Sequence, residues 1–90
     1  MKELQAGLPG LRLFELEVFR DDRGFFVERY REDEWLRLGL RENFVQDNHS
    51  RSAPRVLRGL HYQAEPRQGK MVAVVRGRIF DVAVDLRKGS

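Results

Sequence analysis

The stretch RIFDVAVDL at residues 78–86 carries the clearest two-residue periodicity in the chain. One face of this stretch is apolar throughout: Phe80, Val82, Val84 and Leu86. The other face alternates apolar with acidic side chains: Ile79, Asp81, Ala83 and Asp85. Because successive side chains of a strand point to opposite faces, the pattern predicts a strand with one face in an apolar core. The mixed second face is typical of a sheet that lines a wet cavity.

Further strands are predicted on both sides of turn signals along the rest of the chain. The predicted strands cover residues 11–19, 25–30, 44–50, 56–63 and 71–75, in addition to 78–86. Turn signals separate them at 9–10, 21–24, 53–54 and 76–77, where glycine, proline and aspartate concentrate. One helix is predicted over 31–40, with acidic residues in its first turn and Gly39 as its stop. Short strands with one small helix indicate an all-β sandwich or barrel.

Size and composition limit the class of protein. Ninety residues make one small domain at most, and five or six strands do not close a barrel, so we expect the open edges to pair with another copy or with further strands. The chain has no cysteine and a net charge of +3, with 17 basic residues spread along it. Without a clustered basic stripe we predict no nucleic-acid partner, and without a long apolar run no membrane association. A cytoplasmic protein is the expectation.

Polar groups suited to chemistry concentrate between residues 44 and 70. Both histidines, His49 and His61, lie there, with the amides Gln46 and Asn48. Histidine titrates near neutral pH, which suits proton transfer, but from spacing alone a hydrogen-bonded core histidine is the slightly favoured interpretation of His61. A metal site is not predicted, because the residue two places after His61 is glutamine and the spacing to other ligands carries little information.

Two basic residues flank His61 in this region. Strict alternation puts Arg58 and His61 on opposite faces of a strand, and a bulge at Gly59 would bring them to the same face. Lys70 precedes the apolar run MVAVV at residues 71–75. A lysine there either points into a cavity, where it can stabilise an oxyanion, or lies exposed at the strand end.

Five motifs, in order along the chain, resemble the dTDP-4-dehydrorhamnose 3,5-epimerase family. They are DRGFF (22–26), NFVQDNHSRS (43–52), VLRGLHYQ (56–63), QGK (68–70) and FDVAVDLRKGS (80–90). The resemblance covers nearly the whole chain. Family members are about twice as long, so residues 1–90 are expected to be the N-terminal part of a single cupin-like domain. The implied fold is a cupin-type jelly roll (a double-stranded β-helix), the implied assembly a homodimer, and no metal or other cofactor is implied.

The resemblance also implies the reaction and the residues that carry it out. The substrate would be a dTDP-linked 4-keto-6-deoxy sugar, epimerised at carbons 3 and 5 through an enolate on the route to dTDP-L-rhamnose. The implied base is His61, and Lys70 and Arg58 would stabilise the enolate oxygen and position the sugar. The implied substrate contacts are Gln46, Asp47 and Asn48 for the sugar region and Arg23, Phe26 and Glu28 for the nucleotide, partly across the dimer interface.

Two functional groups of the family have no counterpart in these 90 residues. They are the tyrosine that acts as general acid and the carboxylate that orients the catalytic histidine, and both lie in the second half of family members. A single-carbon epimerase, a keto-isomerase of nucleotide sugars, or a non-catalytic cupin fragment that binds a sugar nucleotide are therefore the alternatives.

Overall fold

The computed structural model describes residues 1–90 and contains four short strands and one short helix. In chain order these are β1 (Lys2–Leu4), β2 (Leu13–Glu15), β3 (Val18–Asp21), β4 (Gly24–Val27) and α1 (Glu32–Arg37). The chain divides into two compact units, Met1–Asp47 and Asn48–Ser90, and all five elements belong to the first. The regular structure is thus β with one short helix, which agrees with the predicted all-β class at this level.

The first unit contains two separate antiparallel strand pairs. β1 pairs with β2, with Lys2 opposite Glu15, and β3 pairs with β4, with Val18 opposite Val27. The predicted strand over 11–19 is therefore interrupted, because residues 16–17 join two strands that pair with different neighbours. The sequence analysis did not predict β1, whose three residues are too few to show a periodicity.

The β3–β4 hairpin turns where the sequence predicts. Asp21 and Gly24 face each other across the turn residues Asp22 and Arg23, and Gly24 has a φ of 132°, which glycine adopts without steric cost. The register also places Phe19 opposite Phe26, with ring centroids 6.4 Å apart. The hairpin therefore presents an aromatic pair on one face and an arginine at its tip.

Helix α1 is shorter than predicted but begins and ends for the expected reasons. Its first turn carries Glu32, Asp33 and Glu34, where carboxylates favour the positive end of the helix dipole. At the other end Gly39 has a φ of 80°, and the amides of Gly39 and Leu40 donate to the carbonyls of two residues inside the helix, at 3.0 and 2.9 Å. This is a Schellman motif, which satisfies carbonyls that the helix leaves unpaired.

Aromatic and ionic contacts attach the helix to the rest of the first unit. Trp35 packs edge-on against Tyr30 and Phe44, with ring centroids 4.9 and 6.2 Å away. Arg12 donates two hydrogen bonds of 2.8 Å to the Glu3 carboxylate and one of 2.6 Å to the carbonyl of Leu38. Arg12 therefore joins the β1–β2 pair to the C-terminal end of α1.

Gly39→Ala is expected to shorten or unravel the end of α1. An L-residue in the left-handed region costs about 1–2 kcal/mol, although an added Cβ would have no close neighbour beyond an Arg12 guanidinium nitrogen at 3.9 Å. The 13Cα chemical shifts of residues 32–37 should show a lower helix population. Gly69→Ala is the matched control, because Gly69 has no positive φ and open space around it. An equal helix population in both variants would contradict the role assigned to Gly39.

The second unit contains no strand, which contradicts the predicted strands over 56–63, 71–75 and 78–86; the one over 44–50 is also absent. Within residues 48–90 the one backbone–backbone hydrogen bond is donated by Ser90 to the carbonyl of Arg87, at 3.2 Å. An extended segment becomes a strand when a neighbour accepts its hydrogen bonds, and here no segment pairs with another. Near the two predicted turns, residues 54–55 form a turn and residues 75–77 a bend, with positive φ at Arg55 and Gly77.

No residue of the chain is buried, so the predicted apolar core is not formed by these residues alone. Leu57 is 95% exposed, Phe80 94% and Val45 91%, although all three lie in segments with strand-like patterns. These side chains are available to pack against surfaces outside the described chain. None of the helices has the length and apolar character that crossing a membrane requires.

Candidate functional site

The predicted site residues are divided between the two units. Arg23, Phe26, Glu28, Gln46 and Asp47 belong to the first unit, and Asn48, Arg58, His61 and Lys70 belong to the second. Phe26 lies on β4, and the other predicted site residues lie outside the strands and the helix.

A depression of about 310 Å³ in the first unit brings together two of the predicted residues, Phe26 and Glu28. Its walls include the Phe19 ring, which faces Phe26 across the hairpin, and the Trp35 ring on α1. Flat aromatic surfaces beside hydrogen-bonding groups suit a planar, polar ring such as a nucleobase. Phe19 was not predicted as a residue of this site, although its place opposite Phe26 follows from the hairpin turn.

Charged groups of both signs surround this depression. Glu28 lies 3.4 Å from the Arg31 guanidinium, and Glu34 accepts hydrogen bonds of 2.5 and 3.1 Å from Arg37. Arg37's hydrogen bonds are the main reason that the pKa of Glu34 is below its usual value, with Arg31 and the N-terminal ammonium, each 3.9 Å away, adding to the effect. The Glu34 carboxylate is therefore ionised at neutral pH, and carboxylate oxygens of this kind can accept hydrogen bonds from a ligand's N–H or O–H groups.

Arg23 lies outside this depression, at the tip of the β3–β4 hairpin. Its side chain is 90% exposed, and its guanidinium donates to the Asp21 carboxylate from Nη2 at 2.5 Å and from Nε at 3.2 and 3.3 Å. The Arg23 amide also donates to Asp21 Oδ1, at 2.8 Å. These bonds lower the pKa of Asp21 and raise the pKa of Arg23. The sequence predicted a turn at these residues, but not the ion pair between Asp21 and Arg23.

In the second unit the predicted catalytic residues are exposed, and no hydrogen bond joins them. His61 and Lys70 are exposed, and Arg58 donates to the carbonyl of Arg51 at 3.1 Å rather than to a predicted site residue. Gly59 has a φ of 118°, so the backbone does leave the strand conformation at the position where a bulge was predicted. Because no strand forms there, however, the expected bulge is absent, and no hydrogen bond connects Arg58 with His61.

The three consecutive residues predicted to contact the sugar, Gln46, Asp47 and Asn48, are exposed. They follow Phe44, whose ring packs against Trp35 in the first unit. No three side chains of the types that commonly bind metal ions (His, Cys, Asp and Glu) come together in the chain.

Comparison with known proteins places these features in a family. The model of the family described as dTDP-4-dehydrorhamnose 3,5-epimerase matches residues 5–90. Proteins of that name are 55% identical over the whole chain in Pseudomonas aeruginosa, 53% over 97% of it in Methanothermobacter thermautotrophicus and 46% over the whole chain in Escherichia coli. No solved structure matches the chain.

The chain spans about half the length of these relatives: 50%, 47% and 50% of them, respectively. The family match nevertheless covers all the predicted site residues, from Arg23 to Lys70. The chain belongs to the dTDP-4-dehydrorhamnose 3,5-epimerase family.

Proposed function

We propose that residues 1–90 form the N-terminal part of an epimerase that acts at carbons 3 and 5 of dTDP-4-dehydro-6-deoxy-D-glucose. The product would be dTDP-4-dehydro-L-rhamnose, an intermediate of dTDP-rhamnose biosynthesis. The observation that carries this proposal is the family match over residues 5–90, together with 55% identity to a relative of that name over the whole chain. The exposed Arg23 at the hairpin tip and the aromatic depression beside Phe26 are the structural features that support it.

The proposed chemistry is proton exchange next to a ketone. The carbonyl at carbon 4 acidifies the hydrogens at carbons 3 and 5, so a base can remove one proton and leave an enolate. Return of a proton to the opposite face of that carbon inverts it, and the sequence repeats at the second carbon. No bond other than carbon–hydrogen is broken, so the reaction needs no oxidant, reductant or group donor.

We assign the base of this reaction to His61, because neutral imidazole accepts a proton near physiological pH. Lys70 and Arg58 carry the positive charge that an enolate oxygen requires, and a fixed cation in a site closed to water stabilises such an oxyanion strongly. These three residues are exposed in the structure, so the proposal requires them to converge when the segments 56–63 and 71–75 gain pairing partners.

The nucleotide part of the substrate is assigned to the first unit. Arg23 would bind the pyrophosphate, since a guanidinium offers a forked pair of donors to phosphate oxygens. Phe26 and Glu28 would contact the base from the depression that they line. Gln46, Asp47 and Asn48 would contact the sugar and its neighbouring groups through hydrogen bonds.

The proposed fold is a single cupin-type jelly roll that assembles as a homodimer. Its support is the family match and the large apolar side chains that these 90 residues leave exposed. The general acid and the carboxylate partner of His61 are placed in the part of the protein that corresponds to the uncovered half of the relatives. No cofactor is required by the proposed chemistry.

The test uses a joined polypeptide, defined as this chain fused to the half of the Pseudomonas aeruginosa relative that it does not cover. With the keto sugar in heavy water, the joined polypeptide should introduce deuterium at carbons 3 and 5 and yield the L-rhamno product, as detected by NMR and mass spectrometry. The relative's uncovered half alone is the control and should give no exchange above background.

Other outcomes of this experiment identify the alternatives. Deuterium at one carbon only would indicate a single-carbon epimerase, and a shifted carbonyl without inversion would indicate a keto-isomerase. Nucleotide binding by a folded joined polypeptide without any exchange would contradict the epimerase proposal and favour a non-catalytic binding module.

A further inference from the structure

Asp21 and Arg23 form an ion pair at the tip of the β3–β4 hairpin. Asp21 is the last residue of β3, and its carboxylate receives four hydrogen bonds from Arg23: one from the backbone amide and three from the guanidinium. The two residues thus form a closed ring across the first half of the turn. Arg23 makes no other hydrogen bond or ion pair.

The contact uses only one edge of the guanidinium. Asp21 accepts hydrogen bonds from Nε and Nη2, so both hydrogens of Nη1 and the second hydrogen of Nη2 remain available. The Nη1–Nη2 edge is itself a forked donor pair that matches two oxygens of a phosphate group. A guanidinium can therefore hold a carboxylate on one edge and a phosphate on the other.

We propose that Asp21 is a positioning residue. It holds the Arg23 guanidinium so that the Nη1–Nη2 edge of Arg23 stays open to a phosphate of the substrate's nucleoside diphosphate. The inference deepens the proposed function and rests on its assignment of Arg23 to the pyrophosphate. Asp21 itself does not contact the substrate in this scheme.

Two opposing effects decide the sign of Asp21's contribution to binding. Its negative charge repels an incoming phosphate, which weakens binding. Its hydrogen bonds restrict the Arg23 side chain, which is otherwise free to rotate. Less side-chain entropy of Arg23 is then lost when a phosphate binds, which strengthens binding. At an exposed hairpin tip, water weakens the repulsion between Asp21 and a phosphate on the opposite edge of the guanidinium more than it weakens the direct hydrogen bonds of 2.5–3.3 Å between Asp21 and Arg23. The restriction is therefore the larger effect.

Asp22 provides a matched control for the charge. It is the next residue in the same turn, is exposed, and makes no hydrogen bond to Arg23. Asp21→Asn and Asp22→Asn each remove one negative charge from the hairpin tip, but the first alone weakens the contact with Arg23. A purely electrostatic effect would change both variants alike.

The experiment measures dTDP binding to the joined polypeptide by calorimetry at about 0.1 M salt. Asp21→Asn should weaken dTDP binding about threefold to fivefold, the range of an exposed but well-aligned ion pair, and Asp22→Asn should leave it unchanged or slightly stronger. Thymidine, which lacks the phosphates, should bind equally to all three proteins. Equal affinities of the two variants for dTDP, or tighter binding by Asp21→Asn, would overturn the inference.

The Arg23→Ala variant distinguishes a failure of the positioning role of Asp21 from a failure of the proposed assignment of Arg23 to the pyrophosphate. The expected result is weaker dTDP binding in Arg23→Ala, with no further loss when Asp21→Asn is added, because the aspartate then has nothing to position. If Arg23→Ala leaves dTDP affinity unchanged, the assignment of Arg23 to the pyrophosphate fails, and the inference fails with it. If Arg23→Ala weakens binding but Asp21→Asn weakens it further in that background, only the positioning role fails. A loss of thymidine binding by Asp21→Asn would instead indicate damage to the hairpin and would also overturn it.

Discussion

His61→Ala is expected to lower deuterium incorporation at carbons 3 and 5 of the keto sugar by about 10²–10⁴-fold in the joined polypeptide. The alanine variant lacks any group at this position that can accept a proton from carbon, while the carbonyl still acidifies the hydrogens. The same base serves both carbons in the proposed reaction, so exchange at both should fall together. The measurement is the initial rate of deuterium incorporation at each carbon, followed by NMR.

His49→Ala is the matched control for this experiment. His49 is the only other histidine of the chain, is also exposed in the structure, and has no role in the proposed reaction. Its replacement should leave the exchange rate within about twofold of the unsubstituted protein, because surface substitutions are usually mild. Undiminished exchange in His61→Ala would overturn the assignment of the base. An equal loss in both histidine variants would show that a structural effect, rather than proton transfer, is being measured.

The features predicted correctly from sequence are those that short-range interactions decide. The turn at residues 21–24 requires an aspartate, a glycine and two neighbouring strands, all within a few residues of one another. The end of α1 similarly requires a glycine at residue 39 and carbonyls from the preceding turn. Their energies are contained in the local sequence, so local patterns predict them well.

The strands predicted after residue 43 do not form, because strand pairing depends on interactions between distant parts of the sequence. The alternation at residues 78–86 predicts which side chains would share a face of a strand. It does not predict which segment would pair with the backbone N–H and C=O groups of these residues. Pairing depends on segments that are distant in sequence, and residues 48–90 contain no two segments that pair with each other. A correct periodicity is therefore compatible with an unpaired, extended segment.

The same distinction between short-range and long-range interactions applies to the residues of the candidate site. Phe26 and Glu28 come together because one hairpin and the helix that follows it shape their depression, and the Asp21–Arg23 pair forms across two residues. His61, Arg58 and Lys70 depend instead on the pairing of segments that the chain leaves open. The family resemblance could name these residues because it compares whole motifs, whereas their geometry depends on pairing between segments that are distant in sequence.

The 90-residue chain by itself is expected to show no cooperative thermal unfolding transition. Ordering a residue costs about 1–2 kcal/mol of backbone entropy, and burial of apolar surface is the main term that offsets this cost. The structure buries no residue, and large side chains such as Leu57 and Phe80 remain more than nine-tenths exposed, at 95% and 94%. Calorimetry should therefore give no heat-absorption peak, and the exposed apolar segments should favour self-association in sedimentation experiments.

The joined polypeptide provides the comparison that tests the cause. If unpaired strands and uncovered apolar faces are what prevent cooperative folding, supplying the uncovered half of the relative should produce a single sharp transition from the same 90 residues. Phe80→Asp should then lower the midpoint of that transition strongly, because a charge would replace an apolar side chain that becomes buried, whereas Asp81→Asn, on the wet face, should have a small effect. A monomeric 90-residue chain that melts cooperatively would contradict this account, since its stability could not then depend on strands and surfaces outside it.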